Sequence, residues 1–219
     1  MYHAVIFDLD GTLLDTLDDL ADAVNNALSA FSLPCRTRDE VRTFVGDGVA
    51  KLIERATPGD CPHDKVAAVL ARFKSYYAAH CQDKTSPYEG ILSLLTELKH
   101  QGIRTAIVSN KFDDAVKALA NHYFGTLIQV AVGERESEGI RKKPAPDTLL
   151  MAMDKLGVSP DETLYVGDSD TDILTAHAAG VACVSVTWGF RDSAFLLSHG
   201  ATLLADTPEE LKTMIRSKG

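Results

Sequence analysis

The chain has 219 residues, 45% of them hydrophobic and 24% charged, and its 22 basic against 31 acidic side chains leave a formal net charge of −9. That balance predicts a soluble globular protein and excludes disordered and fibrous readings, while the length suits one sizeable core or a core with a smaller insert. An acidic chain repels polyphosphate backbones, which argues against a nucleic-acid partner. An anionic substrate must therefore be held by a local device such as a metal ion or a few donors in a pocket.

The chain enters the apolar run Ala4-Val5-Ile6-Phe7 at once, with no basic leader or cleavage signal before it. That run reads as a short strand buried on both faces. From about residue 15 to 85 only helix and loop signals follow. Leu17, Leu20, Ala21, Val24, Leu28 and Phe31 fall on one helical face, and Val66, Val69, Leu70, Phe73 and Tyr77 on another. Turn-rich pieces lie between them at Pro34, Gly46-Asp47-Gly48 and Thr57-Pro58-Gly59-Asp60. This stretch is expected to be a helical domain inserted after the first strand, with Thr85-Ser86-Pro87-Tyr88-Glu89-Gly90 as the return linker. Ile91, Leu94, Leu95 and Leu98 then make a helical stripe that stops at Gly102.

Thr105-Ala106-Ile107-Val108 is the next buried strand, and Leu127 to Val132 is a weaker candidate. Met151 and Met153 read as a core face and its neighbour. Ser159-Pro160-Asp161-Glu162 fits a capping box with proline at the first helical position. Thr163-Leu164-Tyr165-Val166 and Ala182-Cys183-Val184-Ser185-Val186 are two further strands, and His177 between them sits in an alanine-rich helix as a surface or packed residue. Trp188 and Phe190 are expected to pack a loop, and Thr207-Pro208-Glu209-Glu210, a second capping box, opens the last helix. Such strands alternating with amphipathic helices argue for a parallel α/β sheet. No apolar stretch approaches the roughly 20 residues of a membrane span. Cys35, Cys61, Cys81 and Cys183 show no CxxC spacing and read as reduced thiols, so the expected location is the cytoplasm.

The chemistry gathers where strands end. The first runs into Asp8-Leu9-Asp10-Gly11-Thr12, and in an extended strand residues two apart project to the same side, so Asp8 and Asp10 can face one site. Open parallel sheets bind ligands at the carboxyl ends of their strands. Two adjacent carboxylates repel each other unless a cation neutralises them. Alone, Asp-x-Asp-Gly is also what a solvated turn after a strand looks like, and it lacks the later ligand positions of an EF-hand. Other strand ends carry the argument further. Val166 leads into Gly167-Asp168-Ser169-Asp170-Thr171-Asp172, and Val108 into Ser109-Asn110-Lys111, whose hydroxyl and amide suit phosphate oxygens. Lys142-Lys143 before Pro144 could be a basic turn, or could balance the charge of a nucleophile and a phosphate.

Taken together, Asp8-Leu9-Asp10-Gly11-Thr12-Leu13, Ser109, Lys143-Pro144 and Gly167-Asp168-Ser169-Asp170-Thr171-Asp172 occur in the order of four motifs that span the chain. On them the chain resembles the haloacid dehalogenase superfamily, in its phosphatase branch with a helical cap. Arg42-Thr43-Phe44-Val45-Gly46-Asp47-Gly48 and Val186-Thr187-Trp188-Gly189 look most like phosphoglycolate phosphatases. The resemblance implies a Rossmann-like parallel core with helices on both faces (residues 1–14 and 86–219) and an inserted all-α cap (residues 15–85).

It further implies hydrolysis of a small phosphate monoester, phosphoglycolate first among them, through an aspartyl phosphate. Asp8 would be the nucleophile and Asp10 the general acid and then base. Mg²⁺ would be held by Asp8, Asp168 and the backbone carbonyl of Asp10, with Asp172 ordering the surroundings of the ion. Ser109, Asn110, Lys143, Gly11 and Thr12 would hold the phosphoryl oxygens, and Arg42, Asp47 and Lys51 are cap candidates for specificity. The alternatives on this core are a phosphomutase of the β-phosphoglucomutase type, a pyrophosphatase or nucleotidase, and an inactive phosphate-binding module. The mutase type carries a histidine in the first cap helix, and Leu14 to Phe31 contains none. The oligomeric state is left open.

Overall fold

In the computed structural model, which describes residues 2–217, the chain forms two compact units. One runs to Leu14 and resumes at Pro87, and the other is Asp15–Ser86. Strand β1 (Ala4–Phe7) opens the first unit, and β2 (Leu14–Asp15) ends the segment that follows it.

The second unit is helical: α1 (Leu17–Ala30), α2 (Arg38–Phe44), α3 (Val49–Ala56) and α4 (His63–His80). Leu17, Leu20, Ala21, Val24 and Leu28 of α1 are buried, as are Val69, Phe73 and Tyr77 of α4. Helix α2 starts with a capping box: the Glu40 amide donates to Thr37 Oγ1 at 3.2 Å and the Thr37 amide donates back to Glu40 Oε2 at 2.7 Å. Where the chain leaves this unit, Asp19 is buried and accepts from the amides of Lys84 and Thr85 at 3.0 and 2.8 Å and from Thr85 Oγ1 at 2.7 Å.

Strand β3 (Ser86–Pro87) pairs with β2, and the first unit then continues through α5 (Ile91–His100), β4 (Arg104–Phe112), α6 (Asp113–Tyr123), β5 (Val130–Glu134) and α7 (Asp147–Leu156). After β6 (Thr163–Gly167) come α8 (Asp170–Ala179), β7 (Ala182–Val186), α9 (Ser193–Ser198), β8 (Leu204–Ala205) and α10 (Pro208–Arg216). Six strands form one sheet in the order β5-β4-β1-β6-β7-β8, every pair parallel. Its first strand is central, with β4 on one side and β6 on the other, so the carboxyl end of β1 is the point where the winding reverses.

Helices cover both faces. Ala4, Ile6, Ala106, Val108, Val132 and Tyr165 meet Leu149, Ala152, Met153 and Leu156 of α7 and Ala176 of α8, with Met151 packed partly against them. Alternation turns Val5, Phe7, Ile107 and Val166 to the opposite face, where α5 lies along β4 and buries Ile91, Leu94, Leu95 and Leu98.

Two expectations, the strand at 127–132 and the full capping box at Thr207, need correction. The strand expected at 127–132 begins at Val130: Gly125–Leu127 is a single 3₁₀ turn, closed by the Leu127 amide on the Phe124 carbonyl at 2.9 Å, and pairing with β4 starts only at Ala106 opposite Val130. The capping box at Ser159 forms as expected and holds a single turn, Pro160–Glu162, because the β-branched and aromatic run of β6 begins at the next residue. At Thr207 only half of a box forms: Thr207 Oγ1 accepts from the Glu210 amide, but Glu210 Oε2 reaches the amide of Asp206 instead. His177 is exposed, and among the described residues no helix is long and apolar enough to cross a membrane.

Candidate active site

Three strand ends of the first unit meet at the carboxyl edge of the sheet, and each supplies part of one polar cluster. After β1 the chain folds tightly, with the amides of Leu13 and Leu14 both donating to the Leu9 carbonyl at 3.0 Å. Asp8 stands at the end of the strand, its amide on the Val166 carbonyl at 2.8 Å. Gly11 has φ +86°, and a Cβ there would lie 2.3 Å from Asp168 Oδ2, so the position admits glycine alone on both counts. The loop after β7 clamps this turn: Trp188 Nε1 donates to the Thr12 carbonyl at 3.0 Å and the Phe190 amide donates to Asp168 Oδ2 at 2.7 Å. Gly189 between them is forced, because an added Cβ would lie 2.4 Å from both Asp168 Cβ and the Gly11 carbonyl.

The end of β4 is irregular. Val108 pairs with Val132 and Phe112 with Glu134, so four steps on β4 face two on β5, and the intervening Ser109, Asn110 and Lys111 bulge toward the site and are all buried. The Lys111 amide donates to Ser109 Oγ at 3.2 Å, and Lys111 Nζ lies 2.8 Å from Asp10 Oδ1. The Asn110 carboxamide is committed to the main chain of Lys143, donating to its carbonyl at 3.0 Å and accepting from its amide at 2.9 Å. It anchors the lysine across the gap between two loops.

Lys143 is fully enclosed. Its ammonium donates to Asp8 Oδ1 at 2.7 Å, to Asp172 Oδ1 at 2.6 Å and to Tyr165 Oη at 3.1 Å, and the Tyr165 hydroxyl donates in turn to Asp172 Oδ1 at 2.9 Å. Asp172 Oδ2 accepts from the amide and hydroxyl of Ser169, the residue that caps α8. Both Asp172 oxygens are therefore occupied. A Cβ on Gly167 would come within 2.3 Å of the Asp172 carboxyl carbon, so this glycine makes the room the aspartate fills. Asp168 is also engaged through both oxygens, with Phe190 at Oδ2 and Thr12 Oγ1 at a long 3.4 Å from Oδ1. Asp8 differs: its Oδ2 has no hydrogen-bond partner among the described residues.

Electrostatics single out the same cluster. Burial raises the Asp8 carboxyl well above the ordinary range; Lys143 opposes this, while Asp172, Asp168 and Asp10 add to it. Asp168 is pushed up to about 7, by burial first and by Asp172 next. Burial also disfavours the Lys143 ammonium, but Asp172 and Asp8 outweigh it and hold the proton on. One lysine faces three buried acids, Asp8, Asp168 and Asp172, whose oxygens lie within 4.8 Å of one another. An all-oxygen donor set with this excess of negative charge fits a hard divalent cation.

In the helical unit, Asp47 pairs with Arg55, whose Nη1 also donates to the Phe44 carbonyl at 2.9 Å, and Lys51 pairs with Glu54 at 2.7 Å; Arg42 is half-buried on α2. Lys111, Tyr165, Gly189 and Phe190 are read from sequence only within their segments, and none of them is assigned a role in the site there. Lys111 was the most accessible of these, since it directly follows Ser109-Asn110 at a strand end.

The matches to known proteins span the whole arrangement. Residues 5–186 match the model of the haloacid dehalogenase-like hydrolases. The chain is 35% identical over 214 residues to phosphoglycolate phosphatase 1 of Pseudomonas aeruginosa, covering 94% of this chain and 77% of that one. It is 37% identical over 198 residues to a phosphoglycolate phosphatase of Haemophilus influenzae, covering 87% and 88%. Among solved structures, one from Lactobacillus delbrueckii subsp. bulgaricus, provisionally assigned as a phosphoglycolate phosphatase, superposes with a TM-score of 0.93 at 38% identity over 98% of each chain. The chain belongs to the haloacid dehalogenase-like hydrolase family.

Proposed function

We propose that this chain is a Mg²⁺-dependent phosphatase that hydrolyses a small phosphate monoester, phosphoglycolate foremost, with Asp8 as nucleophile. The observation that carries the assignment of Asp8 is its carboxylate: Oδ1 is fixed by Lys143 while Oδ2, beside that lysine, has no hydrogen-bond partner among the described residues. Asp8 Oδ2 attacks phosphorus as the ester P–O bond breaks, and the Asp10 carboxyl passes its proton to the departing oxygen, so the alcohol leaves and an aspartyl phosphate remains. A water then gives a proton to the Asp10 carboxylate and adds to phosphorus, the bond to Asp8 breaks, and inorganic phosphate and the free carboxylate result.

Lys143, anchored by Asn110, balances the charge that nucleophile and phosphoryl group bring together. Ser109 Oγ and the Gly11–Thr12 turn complete the cradle for the phosphoryl oxygens. Asp8, Asp168 and the Asp10 carbonyl would hold Mg²⁺, which supplies charge neutralisation at the transferring oxygens. Asp172, with both oxygens occupied by Lys143, Tyr165 and Ser169, positions the lysine and the loop. The cap candidates Arg42, Asp47 and Lys51 remain part of this reading, with Arg55 fixing Asp47. The four cysteines are free thiols, in keeping with a reducing, cytoplasmic setting.

Phosphoglycolate is favoured because curated relatives of that name match most of the chain. The test is phosphate release from a panel of metabolite monoesters, sugar phosphates and pyrophosphate, with and without Mg²⁺, against Asp8→Asn as the blank. Phosphoglycolate is expected well above the rest and only with the metal. Activity surviving in Asp8→Asn would refute the mechanism, and interconversion of sugar phosphates would replace hydrolysis by a mutase reaction.

A further inference from the structure

The mechanism accounts for one buried lysine, but this edge of the sheet holds two. Lys111 has 3% of its side chain exposed and pairs with Asp10, which has 11% exposed, at 2.8 Å. Lys143 already answers Asp8 and Asp172, so Lys111 is not needed to balance the nucleophile. Burying an ammonium is costly wherever it is done. Here the chain does it through a bulge that brings Ser109, Asn110 and Lys111 together at the end of β4.

The position of the second ammonium relative to the reacting atoms gives it a use. If Asp10 protonates the departing oxygen, that oxygen must come within hydrogen-bond reach of the Asp10 carboxyl. Lys111 Nζ is within hydrogen-bond distance of the same carboxyl, so it borders the space the leaving group occupies. A leaving group with a carboxylate one carbon beyond its ester oxygen would bring that anion to the ammonium. A leaving group ending in an alcohol would offer no charge.

We infer that Lys111 is the specificity-determining residue for the leaving group, reading a carboxylate next to the scissile oxygen while keeping Asp10 in position. This rests on the phosphatase reading above and names the substrate feature that the core itself selects. Such an ionic contact is charge-assisted on both sides and is the kind that discriminates by roughly 10- to 100-fold.

The experiment compares kcat/KM for phosphoglycolate and for 2-hydroxyethyl phosphate, in which a hydroxymethyl group replaces the carboxylate. It uses the wild type, Lys111→Met and Lys111→Arg, with Mg²⁺ present. Any shift of Asp10 slows both alkyl esters alike, so the ratio of the two isolates the carboxylate. The wild type should favour phosphoglycolate, Lys111→Met should lower the ratio by roughly tenfold or more, and Lys111→Arg should keep most of it. p-Nitrophenyl phosphate, whose leaving group departs without a proton, checks that the variant still forms a working nucleophile site. If Lys111→Met fails that check, Lys111→Gln takes its place in the ratio.

A wild type without the preference refutes the phosphoglycolate reading itself. A wild type with the preference whose ratio is unchanged in the uncharged variants refutes the role of Lys111 and leaves that reading standing.

Discussion

Replacing Tyr165 by phenylalanine removes a single buried oxygen from the middle of the charge cluster and leaves every carboxylate and the lysine in place. That oxygen makes two contacts, accepting from Lys143 Nζ at 3.1 Å and donating to Asp172 Oδ1 at 2.9 Å. Hydrogen bonds to charged groups are worth roughly 1.5–3 kcal/mol each. The low end applies here, because Lys143 keeps Asp8 and Asp172, and Asp172 keeps Lys143 and Ser169. The expected loss of stability is about 2–3 kcal/mol, which at roughly 2–4 °C per kcal/mol for a chain of this size lowers the melting midpoint by about 4–12 °C.

Lys143→Met sets the contrast. It strands Asp8 and Asp172 as buried acids with no cation beside them, and breaking such a pair from one side costs about 3–5 kcal/mol. Urea unfolding in chelator, where no bound cation masks the difference, ranks the two. Turnover of Tyr165→Phe should fall by about tenfold, because the lysine loses one of its three fixed partners and positioning is what the reaction asks of it. A Tyr165→Phe protein with wild-type unfolding and turnover would show that the hydroxyl only fills space, and the positioning argument would fail.

Gly189→Ala should destabilise by about 1–3 kcal/mol through overpacking, since its Cβ must displace Asp168 or the Gly11 carbonyl; the sharper readout is a weakened Mg²⁺ dependence of activity, and unchanged metal titration would refute it. Asp19→Ala removes the acceptor of the buried Thr85 amide and hydroxyl, an expected cost of about 2–3 kcal/mol. Hydrogen exchange at Thr85 should quicken with it, and wild-type protection there would count against the assignment.

Much of the fold was legible because the strands of the main sheet are buried on both faces and cannot hide their composition. Ala4–Phe7 and Ala182–Val186 appear in the structure with the limits the apolar runs suggested. Leu204–Ala205 escaped notice because a two-residue edge strand has no period to read. The box at Ser159 forms as read, but capping chemistry reports how a turn starts, whereas its length is decided by β6 competing for the next residue. In the site, Asp8, Asp10, Asp168 and Asp172 reach one edge because they follow strands that end there, and Lys143 is fastened to them through the Asn110 carboxamide. What sequence spacing could not convey was the use of each group. Asn110, read as a phosphate donor, also ties down the Lys143 main chain through its carbonyl oxygen and one amide hydrogen, while Tyr165, read only as part of a buried strand, bonds the lysine through its tip. Both facts are three-dimensional, depending on which residue stands across a gap between loops.

The distribution of hydrogen bonds over the acids supports the division of work proposed for them. Asp172 has four bonds on its two oxygens and cannot turn toward a reacting atom without breaking charge-assisted contacts. Asp168 is held at Oδ2 by the Phe190 amide and hemmed in by Gly11 and Gly189, each too close to admit a Cβ, so it is fixed in place and suited to coordinating an ion. Asp8 is held at Oδ1 and has no partner at Oδ2 among the described residues, the condition the proposed nucleophile must meet: oriented, yet with a lone pair available. Asp10 pairs with its own lysine, Lys111, at 2.8 Å, a cation separate from the one that holds Asp8. In the proposed function, attack at Asp8 and proton transfer at Asp10 each have a cation of their own. Exchanging the roles of Asp8 and Asp172 would require rebuilding the Ser169 cap and the Tyr165 contact together.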